Sequence, residues 1–180
     1  MKAMFENRLV KILAQENNKK VVTTKDLNVV SKEKGKVKVV LDAGAKMPTR
    51  AHATDAGLDL YAREKQIVPA KESAIFDTGV HIELPTVTIG GQTFHTVGMV
   101  KSKSGLNVKY GITSEGVIDV GYTGSIVVKL YNHSGYDYTV NEGDKISQLV
   151  IMPIITPELE LVDELEATDR GNGGFGSTGV

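Results

Sequence analysis

The sequence predicts an all-β domain of the sandwich, jelly-roll or barrel class, and three observations carry that expectation. From Val37 onward the chain is made of short runs rich in Val, Ile, Thr and Tyr, residue types that suit a pleated, half-buried surface. Gly, Pro, Asn and Asp punctuate the runs. In the run from Ser125 to Tyr131, Ile126, Val128 and Leu130 share one face, while Ser125, Val127, Lys129 and Tyr131 share the other. That is the period-two pattern of a strand whose second face is also partly covered.

Residues 1–36 precede this pattern. Phe5, Leu9, Ile12 and Leu13 recur at helical spacing among charges and predict a short amphipathic helix, followed by a Lys-rich polar stretch to Lys36. Such an extension either docks on the domain or on a partner, or frays. The β domain is expected over 37–169, with strands in VKVVL, LDLYA, SAIFDTGVHIEL, VTIGGQTFHTVGMV, GVIDV, SIVVKLYN and KISQLVIMPII. The helical candidate among them is the brief SGLNVKYG, too short to change the class. Asp163, Glu164, Glu166 and Asp169 read as a solvated linker to a glycine-rich end, 170–180. No internal repeat is present.

Composition excludes several functions. A chain of 180 residues with 41% hydrophobic content can build one core. A net charge of −1 argues against a broad basic surface for nucleic acid. With no cysteine there is no disulfide, thiol nucleophile or thiolate metal site. No apolar run approaches the ~18 residues of a membrane span, and the start lacks a secretion signal. A cytoplasmic location is expected, the host cell's cytoplasm for a viral source.

Several short motifs carry chemistry. RGNGGFGSTGV spells G-x-G-x-x-G at Gly171, Gly173 and Gly176, and approaches a phosphate loop without its lysine. Both patterns need a following helix, and the sequence ends at Val180, so a dinucleotide-binding unit is not expected. Backbone amides, Arg170, Ser177 and Thr178 still suit phosphate oxygens. KSKSGLNVKYGI places Lys101, Ser102, Lys103 and Ser104 before Gly105, a basic and hydroxyl-rich entry to the helix. GVIDVGYTGSI ends an apolar run of Gly116, Val117 and Ile118 on a carboxylate, Asp119, with Tyr122 across a glycine-flanked turn. GDKISQLVI sets one amide, Gln148, in an apolar strand. TDAGLDLYA is a turn entering a strand that carries Asp59. Each alone has an ordinary reading as turn, tail or structural amide. His52, His81, His95 and His133 lack metal-ligand spacing and read as structural or surface residues.

In this order and spacing, AGLDL, SKSGL, GVIDVGYTG, GDKISQLVI and RGNGGFGSTG resemble the five motifs of the trimeric dUTPases. The resemblance covers 37–180 and leaves the first 36 residues outside. It implies a jelly-roll-like subunit, a homotrimer with active sites built from neighbouring subunits, and hydrolysis of dUTP to dUMP and pyrophosphate with Mg²⁺. By the same resemblance Asp119 holds and deprotonates the attacking water, and Tyr122 lies against the deoxyribose, leaving no room for a 2′-hydroxyl. The backbone of Gly116, Val117 and Ile118 pairs with uracil. Ser104, in one segment with Lys103 and Gly105, and Gln148 meet phosphate oxygens, Gln148 also near the water, and Asp59 supports the site or the hydrated Mg²⁺. The segment 170–180 is implied to be a mobile arm. In it Phe175 stacks on uracil, while Arg170, Ser177, Thr178 and glycine amides such as that of Gly176 wrap the terminal phosphates.

Two departures stand out. The family usually has arginine where Lys103 stands, and lysine keeps the charge while losing the planar fork. The segment TVTIGGQTFHTVG is longer than the family's usual connection. Two rival functions are a dCTP deaminase, which shares the subunit fold but relies on a glutamate, and a protein-binding regulator on the same scaffold. The regulator would use residues 1–36 or 85–98 as its contact surface for a partner protein. Neither nucleic acid nor membrane is an expected partner.

Overall fold

The computed structural model describes residues 35–173. The predicted N-terminal helix and the arm from Gly174 onward, with Phe175, Gly176, Ser177 and Thr178, lie outside the described residues. Within them the all-β expectation holds, with antiparallel ladders throughout. One sheet has the order β1 (Lys38–Leu41), β4 (Ser73–Glu83), β9 (Ser125–Asn132), β7 (Ile112–Thr113). The other has the order β2 (Gly57–Tyr61), β11 (Lys145–Ile154), β6 (Gln92–Lys101), β5 (Val87–Ile89), with β8 (Glu115–Ile118) also on β6. A two-stranded ribbon joins β3 (Gln66–Val68) and β10 (Tyr138–Val140).

One core serves all three. Phe76, Val80 and Ile82 of β4 and Ile126, Val128 and Leu130 of β9 pack in a single buried cluster with Leu60, Val100, Ile146 and Leu149 of the other sheet and Val68 and Val140 of the ribbon. The alternation read in β9 is therefore the inward and outward pleat of that strand, with Ile126, Val128 and Leu130 buried and Val127 and Lys129 exposed.

The β-rich run VTIGGQTFHTVGMV contains two strands. β5 and β6 pair as a hairpin, Ile89 opposite Gln92, across Gly90 and Gly91, which have φ of 61° and 80°. A two-residue turn with both φ positive matches strand twist, and glycine adopts it freely. The long segment thus becomes a hairpin extension of β6. Strands β3, β7 and β10 were not anticipated; at two or three residues each they are too short for alternation to register.

β4 is continuous but bulged. Against β9 its register runs Asp77↔Val127 and then His81↔Ser125, so four steps on β4 face two on β9. Inside the bulge the Thr78 hydroxyl donates to the Ile126 carbonyl at 2.7 Å, replacing a ladder bond. The helix α1 (Ser104–Tyr110) has seven residues, buries none of them, and closes on Gly111 in the left-handed conformation. A helix this short depends on its junctions.

Candidate active site

The first group of predicted residues meets where β2, β11 and the end of β6 converge. Gln148 of β11 is paired with Asp59 of β2 on one side and with Lys101 of β6 on the other. Asp59 is 8% exposed, and a buried carboxylate needs cations or donors. It has two cations: Lys103 Nζ lies 2.5 Å from Oδ1 and Lys145 Nζ lies 2.7 Å from Oδ2. Burial alone would push the Asp59 pKa up; the hydrogen bonds and charges of Lys103 and Lys145 outweigh it and hold the carboxyl below the ordinary range.

Hydroxyls pin the segment that carries Lys103. The Ser102 hydroxyl donates to the Ser114 carbonyl at 3.1 Å and accepts from the Ser114 N–H at 2.9 Å. Ser147 donates to the Lys101 carbonyl at 2.9 Å, and its oxygen lies 2.8 Å from that of Ser114. Gln148 lies across the bare face of Gly57 and donates from Nε2 to the Ser102 carbonyl at 3.0 Å. Lys103 stands at the N-cap of α1 without a side-chain cap bond, since an ammonium has no acceptor for the first-turn N–H groups. Ser104 and Gly105 follow it exposed, with open space where a Gly105 Cβ would stand.

The second group is local to the turn after β8. Tyr122 N–H donates to the Asp119 carbonyl at 3.2 Å, closing a four-residue turn whose third residue, Gly121, has φ of 88°. That is the conformation a type II turn demands. Asp119 is exposed at its start. The Tyr122 ring is laid over Gly124, where a Cβ would meet its hydroxyl oxygen at 2.5 Å, and its O–H donates to the Ser125 carbonyl at 3.0 Å. Among the described residues β8 is paired along one edge, to β6. The backbone polar groups on its other edge, in Gly116–Ile118, are therefore open to a partner.

The structure does not bring the two groups together within one chain. The β6–β8 ladder runs from Lys101↔Glu115 to Gly98↔Ile118, three residue steps or about 10 Å. Lys103 lies beyond one end and Asp119 beyond the other. Arg170 lies in neither group; its Nε donates to the Gly173 carbonyl at 3.0 Å in a turn of its own.

The family model for dUTPase matches residues 43–179. The chain belongs to the dUTPase family. The deoxyuridine 5'-triphosphate nucleotidohydrolase of Clostridium acetobutylicum is 43% identical over 148 residues, 81% of this chain and 96% of that one. The protein of the same name from Candida albicans is 44% identical over 137 residues, 74% and 81% of the two chains. Among solved structures, the dUTPase of Staphylococcus bacteriophage 80alpha with dUPNHPP has a TM-score of 0.70 at 31% identity, covering 81% of this chain and 99% of that one. A mutant dUTPase of phage phi11 of S. aureus, described with a structural Mg(II) ion, has a TM-score of 0.63 at 31% identity, covering 73% and 99%.

As a dUTPase chain it departs from the sequence reading in one residue above all. Lys145, in GDKISQLVI, was passed over, yet it is the second cation on Asp59. A basic residue at a strand start usually signals solubility, and the pairing with β2 is what sets it beside Asp59. Among the described residues no three His, Asp or Glu side chains stand together as a metal site, and both Asp59 oxygens face ammonium groups. This donor set does not fit an ion gripped directly by the protein. It is compatible with a hard cation that keeps its own waters and is met through them.

Proposed function

We propose that this dUTPase-family chain hydrolyses dUTP to dUMP and pyrophosphate, taking the nucleotide as its Mg²⁺ complex, at sites shared between subunits of a homotrimer. The observation that carries the reading is the Asp119–Tyr122 turn at the end of the open edge of β8. It sets a backbone row for a base edge, an aromatic ring for a sugar and a carboxylate for a water within a few residues of one another.

On this reading uracil pairs with the free edge of β8, and a narrow site excludes thymine by clash with its methyl. Repulsion is required because one methyl in a pocket discriminates by only ~1 to 3 kcal/mol. Tyr122, held over Gly124, fills the space a 2′-hydroxyl would need. The Asp119 carboxylate aligns a water in line with the α-phosphorus and accepts its proton, a role worth on the order of 10² to 10⁴ in rate. At a second chain's Lys103 end, Ser104, the Gly105 backbone and the Gln148 carbonyl oxygen or amide contact phosphates and water. Asp59 holds Lys103 in place and faces the ion through water. The metal supplies charge neutralisation on the triphosphate.

Separation of the two groups along β8 supports a site completed by another copy. So do Leu159 and Leu161, each 99% exposed in the strand-free stretch after β11. Leucines so bare suit a surface that a neighbour covers. Residues 170–180 act as the arm, closing with Phe175 on uracil and Arg170, Ser177 and Thr178 on the terminal phosphates.

The test is a panel of dUTP, dTTP, UTP and dCTP with Mg²⁺, scored for pyrophosphate and for ammonia. Pyrophosphate from dUTP well ahead of the others is the expected result. Ammonia from dCTP, or equal rates across the panel, overturns the reading.

A further inference from the structure

The turn that carries Asp119 and Tyr122 is anchored by a histidine with no part in the chemistry proposed above. His81 stands on β4 opposite Ser125 of β9, just past the β4 bulge. Its half-buried ring faces an acceptor at each nitrogen: the Thr123 carbonyl lies 2.9 Å from Nδ1 and Asp42 Oδ1 lies 3.2 Å from Nε2. Behind it, Arg63 Nη1 lies 3.5 Å from Asp42 Oδ2 and 3.3 Å from Asp77 Oδ2. Asp77 Oδ1 accepts from the Ser125 hydroxyl and from the Gly79 N–H. Thr123 and Ser125 flank Gly124, the residue under the Tyr122 ring. One network therefore grips both shoulders of the substrate turn.

We propose that His81 is a positioning residue for this turn, its ring nitrogen holding the Thr123 carbonyl and so fixing where Tyr122 and Asp119 stand. The inference rests on the dUTP reading of the turn and deepens it. A neutral imidazole donates from one nitrogen only, and its other lone pair would face an acceptor here. Charged groups around the ring are Asp42 after β1, Asp77 on β4 and Arg63 after β2; Lys38 and Glu83, farther along the β1–β4 pair, bond each other at 2.7 Å. The Thr123 carbonyl first, then Asp42 and Asp77, raise the His81 pKa above histidine's ordinary value against the pull of burial. The sign follows: the hold is complete at low pH and weakens as pH rises through the raised pKa.

The experiment compares wild type, His81→Ala and His81→Asn, whose amide nitrogen can replace the Nδ1 donor without charge. Steady-state kinetics with Mg–dUTP across neutral pH are paired with hydrogen exchange of the amides of 119–125 in nucleotide-free protein. Expected is a KM for dUTP raised about five- to tenfold in His81→Ala, as for one lost hydrogen bond, with faster exchange across the turn. His81→Asn recovers most of both, and the rise of KM with pH in wild type flattens in the two variants. Wild-type KM and exchange in His81→Ala overturn the proposal. So does a loss accompanied by a lowered Tm that His81→Asn leaves uncorrected. A wild type that exchanges slowly at the turn but leaves dUTP intact sinks the proposed function instead, because exchange is read without nucleotide.

Discussion

The ammonium of Lys103 stands 2.5 Å from Oδ1 of Asp59, while Lys145 takes the other oxygen at 2.7 Å. Where the family usually carries a guanidinium before the Ser-Gly pair, this chain uses two lysines on one carboxylate. A single ammonium cannot bind both oxygens in a planar fork. The second lysine takes the oxygen that the first leaves open.

That arrangement predicts a pH-dependent stability. The Asp59 pKa is depressed in the folded chain, so its contribution is complete above the unfolded aspartate value and is lost as pH falls through the lower, folded one. Asp59→Asn should cost about 1–2 kcal/mol near neutral pH, since the lysines are partly exposed and can turn to water. Thermal melts of both proteins should converge on acidification. A gap that persists into strong acid would contradict the assignment.

Asp119 is exposed and, among the described residues, bonds the fold only through its backbone. Asp119→Asn should therefore lower kcat by on the order of 10² to 10⁴ with an unchanged Tm and retained binding of a non-cleavable analogue. Co-refolding it with Lys103→Ala, itself impaired, tests whether sites are shared. Random mixing in a trimer should restore about a quarter of the sites, each taking its turn from one chain and its Lys103 end from another. Activity no better than the two variants separately would place each site within one chain.

Gly124→Ala needs no unusual backbone, but the new methyl would stand 2.5 Å from the Tyr122 hydroxyl oxygen and 2.7 Å from Cζ. Tyr122 is 46% exposed and can swing away, so the fold should survive. Discrimination should not: the ratio of kcat/KM for dUTP to that for UTP is expected to drop by about tenfold, roughly the loss of one well-placed contact.

Deleting residues 170–180 should remove most turnover and leave the assembly intact. Size-exclusion chromatography and pyrophosphate release read the two effects separately. A truncated chain with full turnover would end the role proposed for the arm.

Much of this was legible before any coordinates. The alternation of Ile126, Val128 and Leu130 determines a strand with one buried face, because side-chain direction along a strand depends on nothing but position parity. The Asp119–Tyr122 turn is likewise local, its left-handed residue supplied by Gly121. Tertiary structure decided what such patterns do not encode. Parity says which face is inward but not which strand lies alongside, so the meeting of Lys145 with Asp59 waits on the β2–β11 register. The grip of His81 on Thr123 waits on a bulge that resets β4 against β9. Motifs that read as one list in the sequence stand at opposite ends of β8, because antiparallel pairing with β6 carries Lys103 and Asp119 apart.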